Sequence, residues 1–288
     1  MIKLYILKEK GGTSKSKEIF TKLSEKMNIE IEYENFSFPK EYFDKVISKL
    51  KEDREVMGFN VTMPYKLEIL NYIEKSEYAA LCGAVNCVSF VGNDRRLIGY
   101  NTDWYGIFNP VNERKLEEKR IACIAGAGGA ARSAFFALDK AGFEEIHVFN
   151  RSLKRLEEFK GEFDKGIVHV IDELDVFLLK HKVALLINTT SMGMIPDSNT
   201  CIPVSDEALK NVRIVFDAVY KPFNTVLIRK ANKAGCDIIY GLEMLYEQHI
   251  ENVKIWDIPK KDLAIDVMKE MKKNEINLKM NELKEGRR

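Results

Sequence analysis

No two cysteines of this chain stand at Cys-x-x-Cys spacing. Cys82, Cys87, Cys123, Cys201 and Cys236 are scattered and odd in number, with no histidine nearby. A zinc site is therefore not expected, and no other metal is. Cys123 lies within an apolar strand pattern and reads as a small core residue rather than a reactive thiol. Net charge is nearly absent too: 45 basic residues meet 44 acidic ones, for a formal +1. No global field steers such a chain to nucleic acid or to an anionic membrane, which points to a small-molecule partner. Long apolar runs are also missing. Met1 to Lys10 hold only the short run Leu4 to Leu7 before charges return, so neither a signal peptide nor a membrane span is expected, and the expected location is the cytoplasm. There is no internal repeat and no low-complexity tract.

What is present is alternation. A length of 288 residues favours two domains at about 100 to 200 residues each, and two domains imply a cleft. In the first hundred or so residues, the apolar runs Lys3 to Leu7, Ile29 to Phe36, Val56 to Val61 and Ala84 to Val91 alternate with helical patterns at Ser16 to Met27 and Tyr42 to Lys51, as in βαβ units. The charged stretch Asn112 to Lys119 separates Trp104 to Val111 from apolar Arg120 to Ala125 and reads as a boundary. Then follow a glycine turn, a helix at Ala130 to Ala141, a strand at Glu145 to Phe149 and a helix at Leu153 to Glu162. Further strands are expected at Ile167 to Ile171, Ala184 to Asn188 and Arg213 to Ala218, the pattern of a doubly wound sheet. A last helical region opens after Gly241, and the Lys- and Glu-rich Lys269 to Arg288 reads as a solvated helix or frayed tail.

Gly126-Ala127-Gly128-Gly129-Ala130-Ala131 fits Gly-x-Gly-x-x-Ala between a strand and a helix, the context a dinucleotide fingerprint requires. Gly126 permits the tight turn, Gly128 leaves room for a pyrophosphate, and small Ala131 lets helix and sheet approach, while unpaired amides at the helix start face the anion. The next strand ends Val148-Phe149-Asn150 with no acid to hold ribose hydroxyls. Asn150, Arg151, Lys154 and Arg155 follow instead, donors and cations suited to a 2′-phosphate, so NADP is expected over NAD. The plain alternative is that Lys154 and Arg155 decorate an exposed helix face.

Outside that fold, polar residues stand out at Thr13 to Ser16, Asn60 to Lys66, Gly83 to Asn86 and Asn101 to Gly106. Singly, these read as caps: Ser14 or Ser16, Thr62 ahead of Pro64, and Asn101 or Asp103 could each open a helix. Together, the chain resembles the shikimate dehydrogenase family. The resemblance is carried by Asn60-Val61-Thr62-x-Pro64-x-Lys66, Gly83-Ala84-Val85-Asn86, Asn101-Thr102-Asp103-x-x-Gly106, the Gly126 turn and Asn150-Arg151-Ser152. It continues through Asn188-Thr189-Thr190-Ser191-x-Gly193-Met194, Asp217-x-Val219-Tyr220-x-Pro222 and Gly241-x-x-Met244-Leu245-x-x-Gln248, all in the family's order and spacing.

The resemblance implies an NADP-dependent, reversible reduction of 3-dehydroshikimate to shikimate, on the route to chorismate and the aromatic amino acids. It implies an α/β fold of two domains. Residues 1–105 and 240–288 would form an α/β substrate domain completed by carboxyl-terminal helices, and 106–239 a Rossmann domain for NADP. None of the four histidines lies within a matched motif, and the resemblance makes Lys66 and Asp103 the catalytic pair, a proton donor and the carboxylate that positions it. It assigns the substrate carboxylate to Ser14, Ser16 and Tyr220, and the ring hydroxyls to Thr62, Asn86, Asp103 and Gln248. Gly126 to Ala130, Asn150, Arg151, Lys154, Arg155, Thr190 and Ser191 would hold the cofactor, with Val219, Gly241 and Met244 near the nicotinamide. For Met244 and Leu245, core packing is an equally good reading. The chain departs from the family where a histidine usually precedes the first serine and a proline follows the second: here stand Thr13 and Lys17. A quinate/shikimate dehydrogenase using NAD or NADP, or a non-catalytic nucleotide-binding protein, are the competing readings, and the assembly is expected to be a monomer or homodimer.

Overall fold

The computed structural model describes residues 1–9, 14–62, 64–163, 168–171 and 173–285. Lys10 to Thr13, Met63, Ile167 and the last residues of the expected tail lie outside the described residues. The chain forms two compact units, Met1–Thr102 with Gln248–Lys273, and Asp103–Glu247 with Asn274–Arg288.

The first unit runs β1 (Ile2–Lys8), α1 (Lys15–Met27), β2 (Ile31–Ser37), α2 (Phe43–Glu52), β3 (Val56–Val61), β4 (Glu74–Lys75), α3 (Glu77–Cys82), β5 (Cys87–Val91) and β6 (Arg96–Tyr100). Ile19, Phe20, Leu23 and Met27 recur at helical spacing and are buried, so α1 has one apolar face. Ser14 caps its start by accepting from the Lys17 amide, and Asn28 ends it in the left-handed conformation at φ 49°. The strands form one mixed sheet ordered β2-β1-β3-β5-β6-β4. β1 is parallel to β2 and β3, whereas β5 is antiparallel to both β3 and β6. Phe59, wholly buried in β3, belongs to the core of this sheet; its truncation to alanine costs about 3–5 kcal/mol.

The second unit runs α4 (Asp103–Glu113), β7 (Ile121–Ala125), α5 (Gly129–Lys140), β8 (Glu145–Phe149), α6 (Leu153–Phe163), β9 (Val168–Ile171), α7 (Leu174–Lys180), β10 (Val183–Asn188), α8 (Asp206–Leu209), β11 (Val212–Asp217), α9 (Val226–Ala234) and β12 (Asp237–Tyr240). Its sheet is parallel throughout, ordered β12-β11-β10-β7-β8-β9. This is the doubly wound order, with the reversal between β7 and β10, the place where such sheets bind ligands. Strands covered on both faces read as near-continuous apolar runs, and Ala122 to Ala125 and Leu185 to Ile187 are fully buried. Two helices, α10 (Gly241–Ile255) and α11 (Lys261–Glu285), complete the chain. Cys123 is buried in β7, where burial drives its thiol far above the ordinary range, as suits a core residue.

Several local expectations shift. The strand expected from Ala84 begins only at Cys87, because Gly83 ends α3 at φ 61° and the next amides turn to Lys66 and Tyr100. The charged stretch expected as a boundary begins inside α4, and the compact units part earlier, between Thr102 and Asp103. At the far end they part at Glu247/Gln248 and at Lys273/Asn274, where the sequence divided the chain at 239/240. Among the described residues no helix is long and apolar enough to cross a membrane.

Candidate functional site

The carboxyl ends of β7, β8, β10, β11 and β12 are adjacent along one edge of the parallel sheet, and the expected nucleotide residues gather there. Gly126 turns at φ 124° with its amide bonded to the Phe149 carbonyl at 2.7 Å. A Cβ there would come within 2.3 Å of Thr189 Oγ1, so no larger residue fits without rearrangement. At Gly128 a Cβ would meet nothing within 4 Å. The start of α5 has no side-chain cap and no acid in its first turn, leaving its amides to face an anion. Ala131 is fully buried, as close helix–sheet packing demands. These features fit a dinucleotide pyrophosphate; Ala127, Gly129 and Ala130 complete the turn. After β8, Asn150 donates to the Ser152 carbonyl at 3.2 Å, while Arg151, Lys154 and Arg155 are exposed, Lys154 lying 4.0 Å from Glu158.

At the ends of β10 and β11 a buried polar knot sets the neighbouring loops. Asp217 accepts from Asn188 Nδ2 at 2.9 Å, the Val219 amide at 3.1 Å and Thr225 Oγ1 at 2.6 Å. Burial outweighs these bonds and pushes its carboxyl up to about 6. Asn188 Oδ1 in turn accepts from the Thr190 amide and hydroxyl at 3.0 and 2.7 Å, so Thr190 is held while Ser191 is exposed. Tyr220 is half-buried just beyond. Gly241 lets α10 begin against the backbone of Asp217 and Ala218, where a Cβ would meet the Ala218 carbonyl at 2.5 Å. Met244 and Leu245 are buried, as core packing requires. Glu243 is also buried; it accepts two bonds from Arg114 at 2.9 and 3.0 Å and one from the Tyr240 amide at 3.0 Å. Asp103, 2 % exposed, opens α4 in this same unit.

In the first unit, Lys66 and Thr62 are half-buried in the turn after β3. The Lys66 carbonyl accepts from the Val85 amide at 3.2 Å, which ties its turn to the one carrying Asn86. Ser14 serves as a cap, with its Oγ 3.3 Å from the Lys17 amide, and Gln248 is half-buried on α10. Asn86 and Ser16 belong to one buried polar network. Asn86 Oδ1 accepts from the Thr102 amide at 2.6 Å, and its Nδ2 donates to Thr102 Oγ1 at 3.0 Å. Thr102 Oγ1 donates to Asn252 Oδ1 at 3.1 Å, Asn252 Nδ2 lies 3.1 Å from His249 Nδ1, and His249 Nε2 lies 3.0 Å from Ser16 Oγ. Asn60 joins from the side, donating to the Asn86 carbonyl at 2.9 Å and accepting from Tyr33 at 2.8 Å.

Neither His249 nor Asn252 stood out in the sequence, although each interrupts the apolar surroundings of Tyr246, Ile250 and Val253. A polar pair at i and i+3 on a buried helix face was the available signal. The sequence also gave no sign of the grouping of Glu145, His147 and His169, whose ligand-capable atoms lie within 4.8 Å of one another. His147 stands directly across from His169 in the parallel ladder, and its Nε2 is 2.9 Å from Glu145. The group lies toward the amino-terminal end of β8, away from the Gly126 turn.

Comparison with known proteins accords with this geometry. A model of the shikimate dehydrogenase substrate binding domain matches residues 9–88, and one of shikimate / quinate 5-dehydrogenase matches 111–229. A shikimate dehydrogenase (NADP(+)) of Thermotoga maritima is 40% identical over 236 residues, 82% of this chain and 85% of the relative. The crystal structure of a chorismate mutase/shikimate 5-dehydrogenase fusion protein from Clostridium acetobutylicum superposes with a TM-score of 0.82 at 30% identity, covering 96% of this chain and 98% of that one. A shikimate 5-dehydrogenase of Thermus thermophilus, in complex with NADP(H) and shikimate, gives 0.78 at 29% identity over 94% and 99% of the two chains. Matched in both of its parts by the family models, and over most of its length by these relatives, the chain belongs to the shikimate dehydrogenase family.

Proposed function

We propose that this protein interconverts 3-dehydroshikimate and shikimate with NADP(H), the step that leads toward chorismate and the aromatic amino acids. The observation that carries the reading is the uncapped start of α5 behind the Gly126 turn, at the point where the parallel sheet reverses its order. No acid follows β8 to hold free ribose hydroxyls; exposed Arg151, Lys154 and Arg155 stand there instead and would meet a 2′-phosphate, with Asn150 beside them. NADP(H) supplies the hydride in reduction and accepts it in oxidation. Gly126 to Ala130 would hold the pyrophosphate, Thr190 and Ser191 would flank the cofactor, and Val219, Gly241 and Met244 would approach the nicotinamide.

Residues 1–105 with 240–288 are the proposed substrate domain, and 106–239 the cofactor domain. Reduction of a ketone leaves an oxygen that must gain a proton. Lys66 donates it or balances the negative charge, and Asp103 orients the ammonium and binds a ring hydroxyl. Ser14, Ser16 and Tyr220 take the substrate carboxylate; Thr62, Asn86 and Gln248 take ring hydroxyls. A competitor lacking one hydroxyl leaves a buried polar group unpaired, which is costly and hence selective. The reaction belongs in the cytoplasm, carried out by a monomer or homodimer.

Steady-state assays with shikimate and quinate, each with NADP and NAD, test the assignment. The expected result is the highest kcat/KM for shikimate with NADP. A higher value with quinate overturns the substrate, and a higher value with NAD overturns the cofactor.

A further inference from the structure

His249 lies on α10, 233 residues from Ser16 in sequence, and is 2 % exposed. Its ring packs edge-on against Phe20 at 5.1 Å between centroids. Burial pushes its pKa down to about 3, with no charged neighbour contributing, so the imidazole is neutral and carries one proton. Backbone groups at two places decide which nitrogen holds it.

A backbone amide can only donate. The Thr102 amide at 2.6 Å therefore identifies its partner as the side-chain oxygen Oδ1 of Asn86, and Asn86 Nδ2 faces Thr102 Oγ1. Thr102 Oγ1, having accepted that proton, sends its own to Asn252 Oδ1. A backbone carbonyl can only accept. The Asn86 carbonyl therefore faces the amide nitrogen of Asn60, which leaves Asn60 Oδ1 to accept from Tyr33 and, at 3.2 Å, from Asn252 Nδ2. Both routes orient Asn252 the same way, with its amide nitrogen toward His249 Nδ1. Nδ1 is then an acceptor, Nε2 carries the proton, and Nε2 donates to Ser16 Oγ. With an Oγ lone pair so engaged, the hydroxyl proton of Ser16 is directed to another acceptor.

We infer that His249 is a positioning residue that holds the Ser16 hydroxyl as a donor to the substrate carboxylate, its own proton placed by Asn252. The inference rests on the proposed role of Ser16. It explains how a neutral hydroxyl can serve for an anion: a protonated Nε2 cannot accept the Ser16 proton, which stays free for the carboxylate. Bonds to a charged partner are the stronger kind, so losing the orientation affects substrate binding far more than turnover.

The test compares His249→Gln with His249→Asn in steady-state kinetics. Both substitutions are polar, but only the glutamine amide reaches the place of Nε2. His249→Asn is expected to raise the shikimate KM about tenfold, with kcat within about threefold and the NADP KM within about twofold, while His249→Gln stays near the parent protein. Placed on Ser16→Ala, His249→Asn is expected to add nothing, because the pair acts as one unit. Equal KM values for the two variants, or an undiminished effect on the Ser16→Ala background, overturn the inference. Nitrogen-15 NMR of the folded protein reads the tautomer without any substrate: a protonated Nε2 is expected, and a protonated Nδ1 overturns the relay. Absence of shikimate turnover by the parent protein counts instead against the function proposed above.

Discussion

Lys66 acts, in this account, only as charge develops on the substrate oxygen, and that fixes what its loss looks like. Lys66→Ala should lower kcat by about 10² to 10⁴, the usual worth of a placed proton donor, with modest change in the shikimate KM. Lys66→Arg keeps the charge but holds its proton too tightly to give it up, and should recover little. Steady-state kinetics checks both, and near-normal kcat in Lys66→Ala removes the lysine from the mechanism. Arg155 is exposed after β8, and on the proposed reading its charge meets the 2′-phosphate that NADP alone carries. Arg155→Ala is expected to raise the NADP KM about tenfold, equivalent to about 1.4 kcal/mol, and to leave the NAD KM unchanged. Equal changes in both cofactors assign Arg155 to a solvated helix face instead. At this scale the motifs were legible because each is a run of neighbours. The relay through His249 and Asn252 was not, since Ser16 meets its partner only when α1 and α10 fold together.

At the scale of elements, two glycines of one turn separate architecture from ligand. Gly126 is held at φ 124°, and a Cβ there would meet Thr189 Oγ1 at 2.3 Å. Gly126→Ala should therefore destabilise the fold by about 1–3 kcal/mol. Gly128 has an ordinary φ of −99° and open space beside it. Gly128→Ala should melt at the parental temperature while its NADP KM rises about tenfold or more, because the methyl group enters space needed by the pyrophosphate. Thermal melts and cofactor titrations distinguish the two, and a parental NADP KM in Gly128→Ala contradicts the proposed use of the turn. β1, α1 and β3 stood out in the sequence because each is several residues long with one consistent period. α3, only Glu77–Cys82, and β6, Arg96–Tyr100, went unnoticed. Six residues hold too few turns to show helical spacing, and β6 is carried by its pairing with β5 rather than by its own pattern.

For the molecule as a whole, stability should carry the mark of Asp217. Its buried carboxyl, pushed up to about 6, holds a proton more tightly folded than unfolded. That contribution is fully present below about pH 4 and is lost as pH rises through about 6, a change of about 3 kcal/mol. The stability of Asp217→Asn relative to the parent protein should accordingly rise between pH 4 and 6, and a difference that stays flat or falls contradicts the burial argument. The alternation of strands and helices made the parallel sheet legible from sequence, since its central strands β7 and β10 are covered on both faces and read as apolar runs. The units part first between Thr102 and Asp103, at the start of α4; their two later boundaries were not legible, because they fall inside the helices α10 and α11, where no turn marks them. What the molecule does is tested most directly by mixing the purified protein with NADPH and 3-dehydroshikimate and following the absorbance of reduced nicotinamide. Loss of NADPH matched mole for mole by shikimate formed is the expected result; folded protein that binds NADPH yet leaves it unoxidised contradicts the proposed function.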